Sequence, residues 1–167
     1  FGAGRFRELG LTLFTIRNGH NNEAPYNQKT YCEKILIVGE NQVTPMHYHK
    51  IKMEDIIVRA GGDLVLRCHC REEDESLSGD PFRVVCDGVA RDVQAGEEIV
   101  LSQGESITLP PHLYHAFWAA TGTGTSVVGE VSKVNDDVND NFFAEPLGRF
   151  PSIEEDEPPA HLLCTEY

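Results

Sequence analysis

The apolar residues of this 167-residue chain recur with a period of two far more often than 3.6, and that alternation constrains the fold before any single residue does. A segment of period two buries one face of a pleated strand, whereas a helix needs its apolar residues three and four apart. The segments that read this way are LTLFTI at 11–16, KILIV at 34–38, EDIIV at 54–58, DLVLRCHC at 63–70, FRVVC at 82–86, EEIVL at 97–101, SITL at 106–109, HAFWA at 115–119 and SVVGEVSKV at 126–134. Turn chemistry separates them at Gly61-Gly62, Ser78-Gly79-Asp80-Pro81, Asp87-Gly88, Gln103-Gly104, Pro110-Pro111 and Gly122 to Gly124. Many short strands at regular spacing predict an all-β sandwich or barrel. Only the N-terminal dozen residues and the tail beyond Pro151 read as irregular or weakly helical.

With 40% apolar residues, a chain of this length can build one substantial core, so a single domain over 1–167 is expected. It contains no apolar run of the roughly 18 residues that a membrane span needs. The formal net charge of −13 argues against a nucleic-acid partner, which would demand Lys and Arg against phosphates. Nine acidic residues against the single Arg149 lie in 135–167, which therefore reads as largely solvated. Cys68 and Cys70 have no second closely spaced pair to complete a four-cysteine zinc site, so the five cysteines read as reduced thiols. Together with the absence of an N-x-S/T sequon, they favour a cytoplasmic protein. The chain opens on Phe1 without an initiator Met, which leaves room for a natural start upstream.

Two blocks carry chemistry. In HYHKIKME at 47–54, His47 and His49 are two residues apart, so on a strand their imidazoles share a face, as two ligands of one metal must. Lys52 and Glu54 have the opposite parity, and a bend or bulge between 49 and 52 is needed for Glu54 to reach the same centre. The second block is GESITLPPHLYH at 104–115, where Gly104 precedes a strand, Pro110-Pro111 make a rigid turn and His115 opens the next strand.

Taken together, His47, His49, Glu54 and Gly61, then Gly104, Pro110 and His115, resemble in order and spacing the two-part signature of the cupins. These are small antiparallel β-barrels of jelly-roll type with a metal at the barrel mouth. The chain departs from the pattern in three places: seven residues separate Gly39 from His47, His112 replaces a motif glycine, and Ala119 stands where Asn is usual. More specifically, TPMHYHKIKMEDIIVRAGG, GESITLPPHLYHAFW and VNDDVNDNFFAEPLGRFPSIEEDEP are similar to the D-lyxose isomerases, cupin-type ketol-isomerases. The resemblance implies a barrel core over about 32–134, with 135–167 packing on its mouth. It also implies a divalent metal, usually Mn(II), with Fe(II), Co(II), Ni(II) or Zn(II) as alternatives, held by His47, His49, Glu54 and His115. A Lys and a Glu would transfer protons, by motif position Lys52 and Glu145. A homodimer is expected, because exposed strand edges in cupins are paired across subunits.

Three imidazoles and one carboxylate leave two open positions on an octahedral ion, suited to chelating O1 and O2 of an open-chain sugar. A positioned base would then move a proton between C1 and C2 through a cis-enediol. D-lyxose to D-xylulose is the conversion the resemblance implies, with D-mannose to D-fructose as a secondary activity. Proximity to a dication is expected to lower the pKa of Lys52, although Lys50 competes for the role. Glu145 stands in FFAEPLGRF, whose apolar neighbours are expected to dock against the barrel and partly desolvate the carboxylate; a salt bridge to Arg149 is the alternative. His112, Tyr114 and Trp118 read as wall or core residues, and His20, His69 and His161 receive no role. Among rival functions, a cupin Fe(II) dioxygenase would use the same ligands. Within isomerases a cupin glucose-6-phosphate isomerase is the close rival, with the net acidity and the lack of a phosphate-cradling glycine loop favouring an unphosphorylated sugar. A storage cupin is disfavoured because such proteins often lose the ligands.

Overall fold

The computed structural model describes residues 1–22, 24–147 and 156–158. Its strands are β1 (Thr12–Arg17), β2 (Tyr31–Val38), β3 (Thr44–Tyr48), β4 (Glu54–Gly61), β5 (Leu64–Cys70), β6 (Phe82–Cys86), β7 (Val89–Val93), β8 (Glu98–Leu101), β9 (Ser106–Leu109), β10 (Leu113–Ala119), β11 (Ser126–Lys133) and β12 (Phe142–Phe143). A short 3-10 turn at Tyr26–Gln28 is the only helical element among the described residues. Every segment with period two forms a strand within a few residues of its expected bounds. The three strands outside those segments are β3, buried at nearly every position and so without alternation, β7, mostly exposed and equally without it, and β12, too short to show any.

Two antiparallel sheets result, in the orders β1-β2-β11-β4-β9-β6-β7 and β12-β3-β10-β5-β8. The architecture is the all-β one expected. Where 32–134 was the expected barrel core, the first sheet also takes in β1 as an edge strand, and the N-terminal residues before it form turns without an α-helix. Of the C-terminal segment, 135–147 runs back to the second sheet, where β12 pairs with β3. The expectations placed on Arg149 and His161 lie outside the described residues. No helix among the described residues is long and apolar enough to cross a membrane.

The register of β2, β11 and β4 explains where a site forms. Leu36, Val128 and Val58 make one inward rung, each of them fully buried. The next rung is Lys34, Glu130 and Ile56, and the one after it is Cys32, Ser132 and Glu54. The same three strands are therefore apolar toward one end of the sheet and charged toward the other. Each buried aliphatic side chain in the apolar part contributes about 1.5–3 kcal/mol. That part also holds Val38, Leu64, Leu66, Leu101, Ile107 and Leu109, and it offsets the desolvation of Lys34, Glu54 and Glu130.

Candidate active site

Strand β3 carries His47, and His49 lies just past its end; β10 places His115 directly opposite His47. The His47 and His115 ring centroids are 4.2 Å apart, with His49 5.1 Å from the first and 5.6 Å from the second. One ligand atom from each histidine falls within 4.8 Å of the other two, so the three form a group that could hold a metal ion. Each ring engages a backbone carbonyl through Nδ1: Pro45 O at 2.7 Å for His47, Leu113 O at 3.0 Å for His115, and Asp140 O for His49. A carbonyl can only accept, so Nδ1 carries the proton and Nε2 is left as the ligand atom.

The Nε2 atoms of His49 and His115 are buried and have no hydrogen-bond partner. Leaving such groups unmade costs about 1–3 kcal/mol each, which a bound ion would recover. Glu54 Oε1 lies 3.0 Å from His115 Nε2 and 3.6 Å from His49 Nε2. This is the spacing of groups converging on a shared point. Burial, reinforced by His115 and His49, holds the His47 imidazolium pKa well below its ordinary value, so the ring is neutral and ready to ligate.

The backbone bends at Lys50 and Ile51, and that bend turns Lys52 and Glu54 into the same cavity as the histidines. Lys52 Nζ lies 2.6 Å from Glu54 Oε2 and 2.9 Å from Glu130 Oε1. Glu130 Oε1 also accepts from Lys34 Nζ at 2.8 Å, and Lys34 donates at 2.7 Å to Asn135 Oδ1. All of these charged groups are buried. The expected lowering of the Lys52 pKa supposes a bound dication; the chain's own charges act in the opposite direction. Burial alone would lower it, but Glu54 and Glu130 outweigh burial and hold the ammonium well above its ordinary value. Glu54 is the reciprocal case: burial would raise its pKa, but Lys52 and His49 keep it well below the ordinary carboxylate range.

A cavity of about 790 Å³ is lined by His47, His49, Lys52, Glu54 and Glu130, with an apolar wall that includes Leu36, Phe117 and Phe143; residues 1–6 line it as well. Glu145 is not brought to it. The carboxylate is exposed and lines a groove of about 870 Å³ with Trp118 and Ala116, which alternate with His115 and Phe117 and so occupy the opposite face of the second sheet. The physical reason is the brevity of β12: the chain bends at Ala144 and Glu145, immediately before Pro146, and turns away after Phe143.

Glu130 lines the cavity and Glu145 does not. Its signal was present in SVVGEVSKV, where a carboxylate holds the parity of buried Ser126 and Val128. Lys50 is exposed, its ammonium 4.1 Å from the Phe142 ring centroid, so of Lys50 and Lys52 it is Lys52 that lines the cavity, beside Lys34. His112 is exposed too. Its φ of 67° is the left-handed conformation that a glycine adopts without strain, and its N–H donates to His49 O at 2.7 Å. The departure from glycine therefore preserves the turn and adds no imidazole to the cavity.

A family model for D-lyxose isomerase matches residues 1–167. The D-lyxose/D-mannose isomerase of Escherichia coli O157:H7 is 50% identical over 167 residues, covering 100% of this chain and 73% of that protein. Among solved structures, the L-ribose isomerase of Geodermatophilus obscurus matches with a TM-score of 0.60 at 23% identity, over 81% of this chain and 70% of that one. A cupin 2 domain-containing protein from Halorhodospira halophila matches with a TM-score of 0.50 at 13% identity, over 82% and 70% respectively. At such identities the structural likenesses concern the fold, and they identify the two facing sheets as a cupin barrel.

Proposed function

The chain belongs to the D-lyxose isomerase family, and from that premise we propose that it is a metal-dependent aldose-ketose isomerase converting D-lyxose to D-xylulose, with D-mannose to D-fructose as a secondary activity. One observation carries this: three convergent imidazoles share a buried cavity with the ion-paired line Glu54, Lys52, Glu130.

His47, His49 and His115, with Glu54 as the fourth ligand, would hold a divalent ion, and the two unpartnered Nε2 atoms and the neutral His47 fit that role. Mn(II) suits this mixed nitrogen and oxygen set, with Fe(II), Co(II), Ni(II) and Zn(II) as alternatives. When bound, such an ion would polarise the oxygens at C1 and C2 of the open-chain sugar and acidify the C–H at C2, next to the carbonyl.

The proton work falls to Glu130 and Lys52. Glu130 takes the C2 proton of the aldose, while Lys52, kept as an ammonium, gives one to O1, and the sugar becomes a cis-enediol. Lys52 then recovers the O2 proton and Glu130 delivers its proton to C1. The ketose leaves with both residues restored. Lys34 holds the far side of Glu130, and Leu36, Phe117 and Phe143 limit the water that would compete for the proton.

An Fe(II) dioxygenase would have no task for the buried Lys52 and Glu130 pair. A phosphorylated substrate would need a free cation, yet Lys34 and Lys52 are engaged by carboxylates and Arg5 pairs with Glu8 at 3.3 Å. We further infer a homodimer, because the edge strand β1 exposes Leu13, Phe14 and Ile16, which a second copy would cover. A cytoplasmic location is supported by Cys32, Cys68, Cys70 and Cys86, all free thiols. The test is an aldose panel assayed after chelator stripping and Mn(II) restoration. Turnover of D-lyxose and D-mannose is expected, and activity on no aldose would overturn the proposal.

A further inference from the structure

Asp140 is buried and takes no part in the proton transfers described above. Its carboxylate accepts three successive backbone N–H groups: Lys50 at 2.7 Å and Ile51 at 3.0 Å through Oδ1, and Lys52 at 2.8 Å through Oδ2. Its own carbonyl accepts from His49 Nδ1. A single residue from beyond β11 thus fixes the bend at 50–52 with its side chain and orients an imidazole with its main chain.

Three N–H groups directed at one carboxylate form an anion-binding nest, and bonds to a charged acceptor are about twice as strong as neutral ones. The turn that delivers Asp140 is itself braced. Asp136 Oδ1 accepts the N–H of Val138 at 3.2 Å and of Asn139 at 3.0 Å, and Asp136 O accepts the N–H of Asp140 at 3.0 Å. Without this carboxylate, the Lys50 to Lys52 bend would have no charged partner. The Lys52 ammonium is reached through that bend, so its place between Glu54 and Glu130 depends on a residue that touches neither of them.

We propose that Asp140 is a positioning residue of the isomerase site, holding the 50–52 bend so that Lys52 and His49 face the cavity together. This rests on the roles given to Lys52 and His49 under the proposed function.

The discriminating variant is Asp140→Asn. In either orientation of the amide a donor meets a donor, at Lys52 N–H in one case and at Lys50 and Ile51 N–H in the other. Residue-resolved amide exchange on the metal-free chain is expected to quicken by roughly 10-fold to 100-fold at 50–52, the worth of a lost charge-assisted bond, with the core of β5 and β10 unchanged. With Mn(II) restored, kcat on D-lyxose should fall by about 10-fold while KM changes little, as for a misplaced catalytic group. Should this variant not fold, Asp136→Asn loosens the delivering turn and is expected to quicken the same amides by a smaller factor. Exchange at 50–52 that is unchanged, or that rises equally throughout the sheets, overturns the inference. Lys52→Met run alongside separates the two levels. Normal turnover in Lys52→Met removes the proposed role of Lys52 itself, whereas lost turnover there with normal kcat in Asp140→Asn overturns the positioning role alone.

Discussion

Lys52 and Glu130, 78 residues apart in sequence, meet in a buried ion pair of 2.9 Å beside the three histidines. Removing the cation would leave Glu54 and Glu130 buried together with less compensation. Breaking such a pair from one side costs about 3–5 kcal/mol. Lys52→Met should therefore lower the metal-free unfolding free energy by that order and reduce kcat by about 10²-fold or more. Urea melts and steady-state assays check both, and a variant equal to wild type in each would contradict the assignment.

Metal retention should depend on each imidazole. His47→Ala or His115→Ala removes one of three convergent nitrogens, and elemental analysis after dialysis is expected to show little bound Mn(II). Full occupancy in either variant would exclude that residue as a ligand. Mn(II) should restore a chelator-stripped enzyme well and Zn(II) poorly, because aldose chelation needs an open octahedral geometry.

The acid limb of stability should report Glu54. Its carboxyl lies well below its ordinary 4.5 in the folded chain, because Lys52 and His49 outweigh burial. The unfolded chain therefore binds this proton more readily. The stabilisation is fully present above pH 4.5 and is lost as the pH falls from there toward the folded value. The Tm of metal-free wild type should drop through that window, and Glu54→Gln should show a shallower acid slope. Equal slopes would contradict the shift.

Glu145 provides a contrasting case. Exposed on the outer groove, it should tolerate Glu145→Gln with kcat within about 2-fold of wild type, as surface substitutions away from a site usually do. A loss of 10²-fold or more, the worth of a general base, would return the catalytic carboxylate to the C-terminal segment.

The alternation of apolar residues was enough to read nine of the twelve strands, because a half-buried strand writes its burial into every second residue. His47, His49 and Glu54 could be read together for a related reason: their spacing is short, and a single bend at 50–51 connects them, while His115 came from the separate block at 104–115. Glu130 and Lys34 were present in the same pattern as charges at inward positions of β11 and β2. Their partnership needed the register between strands 96 residues apart, which no local pattern contains. Glu145 misled because its apolar neighbours Phe142 and Phe143 do dock on β3, but the chain turns two residues too early. Asp140 left no signal at all, since an acidic residue in an acidic stretch looks solvated until its three N–H partners are seen.

The most direct measurement follows hydrogen at C1 and C2 of the sugar during turnover in D2O, comparing wild type with Glu130→Gln. The substitution keeps the size of the side chain and its capacity to accept from Lys34 and Lys52, but removes the basic carboxylate. Wild type should incorporate solvent deuterium at the carbon that receives the proton. Glu130→Gln should lose about 10²-fold to 10⁴-fold in kcat and exchange no measurable deuterium, with bound Mn(II) unchanged. Near-normal turnover by Glu130→Gln, or a wild-type product free of solvent deuterium, would contradict proton transfer by Glu130.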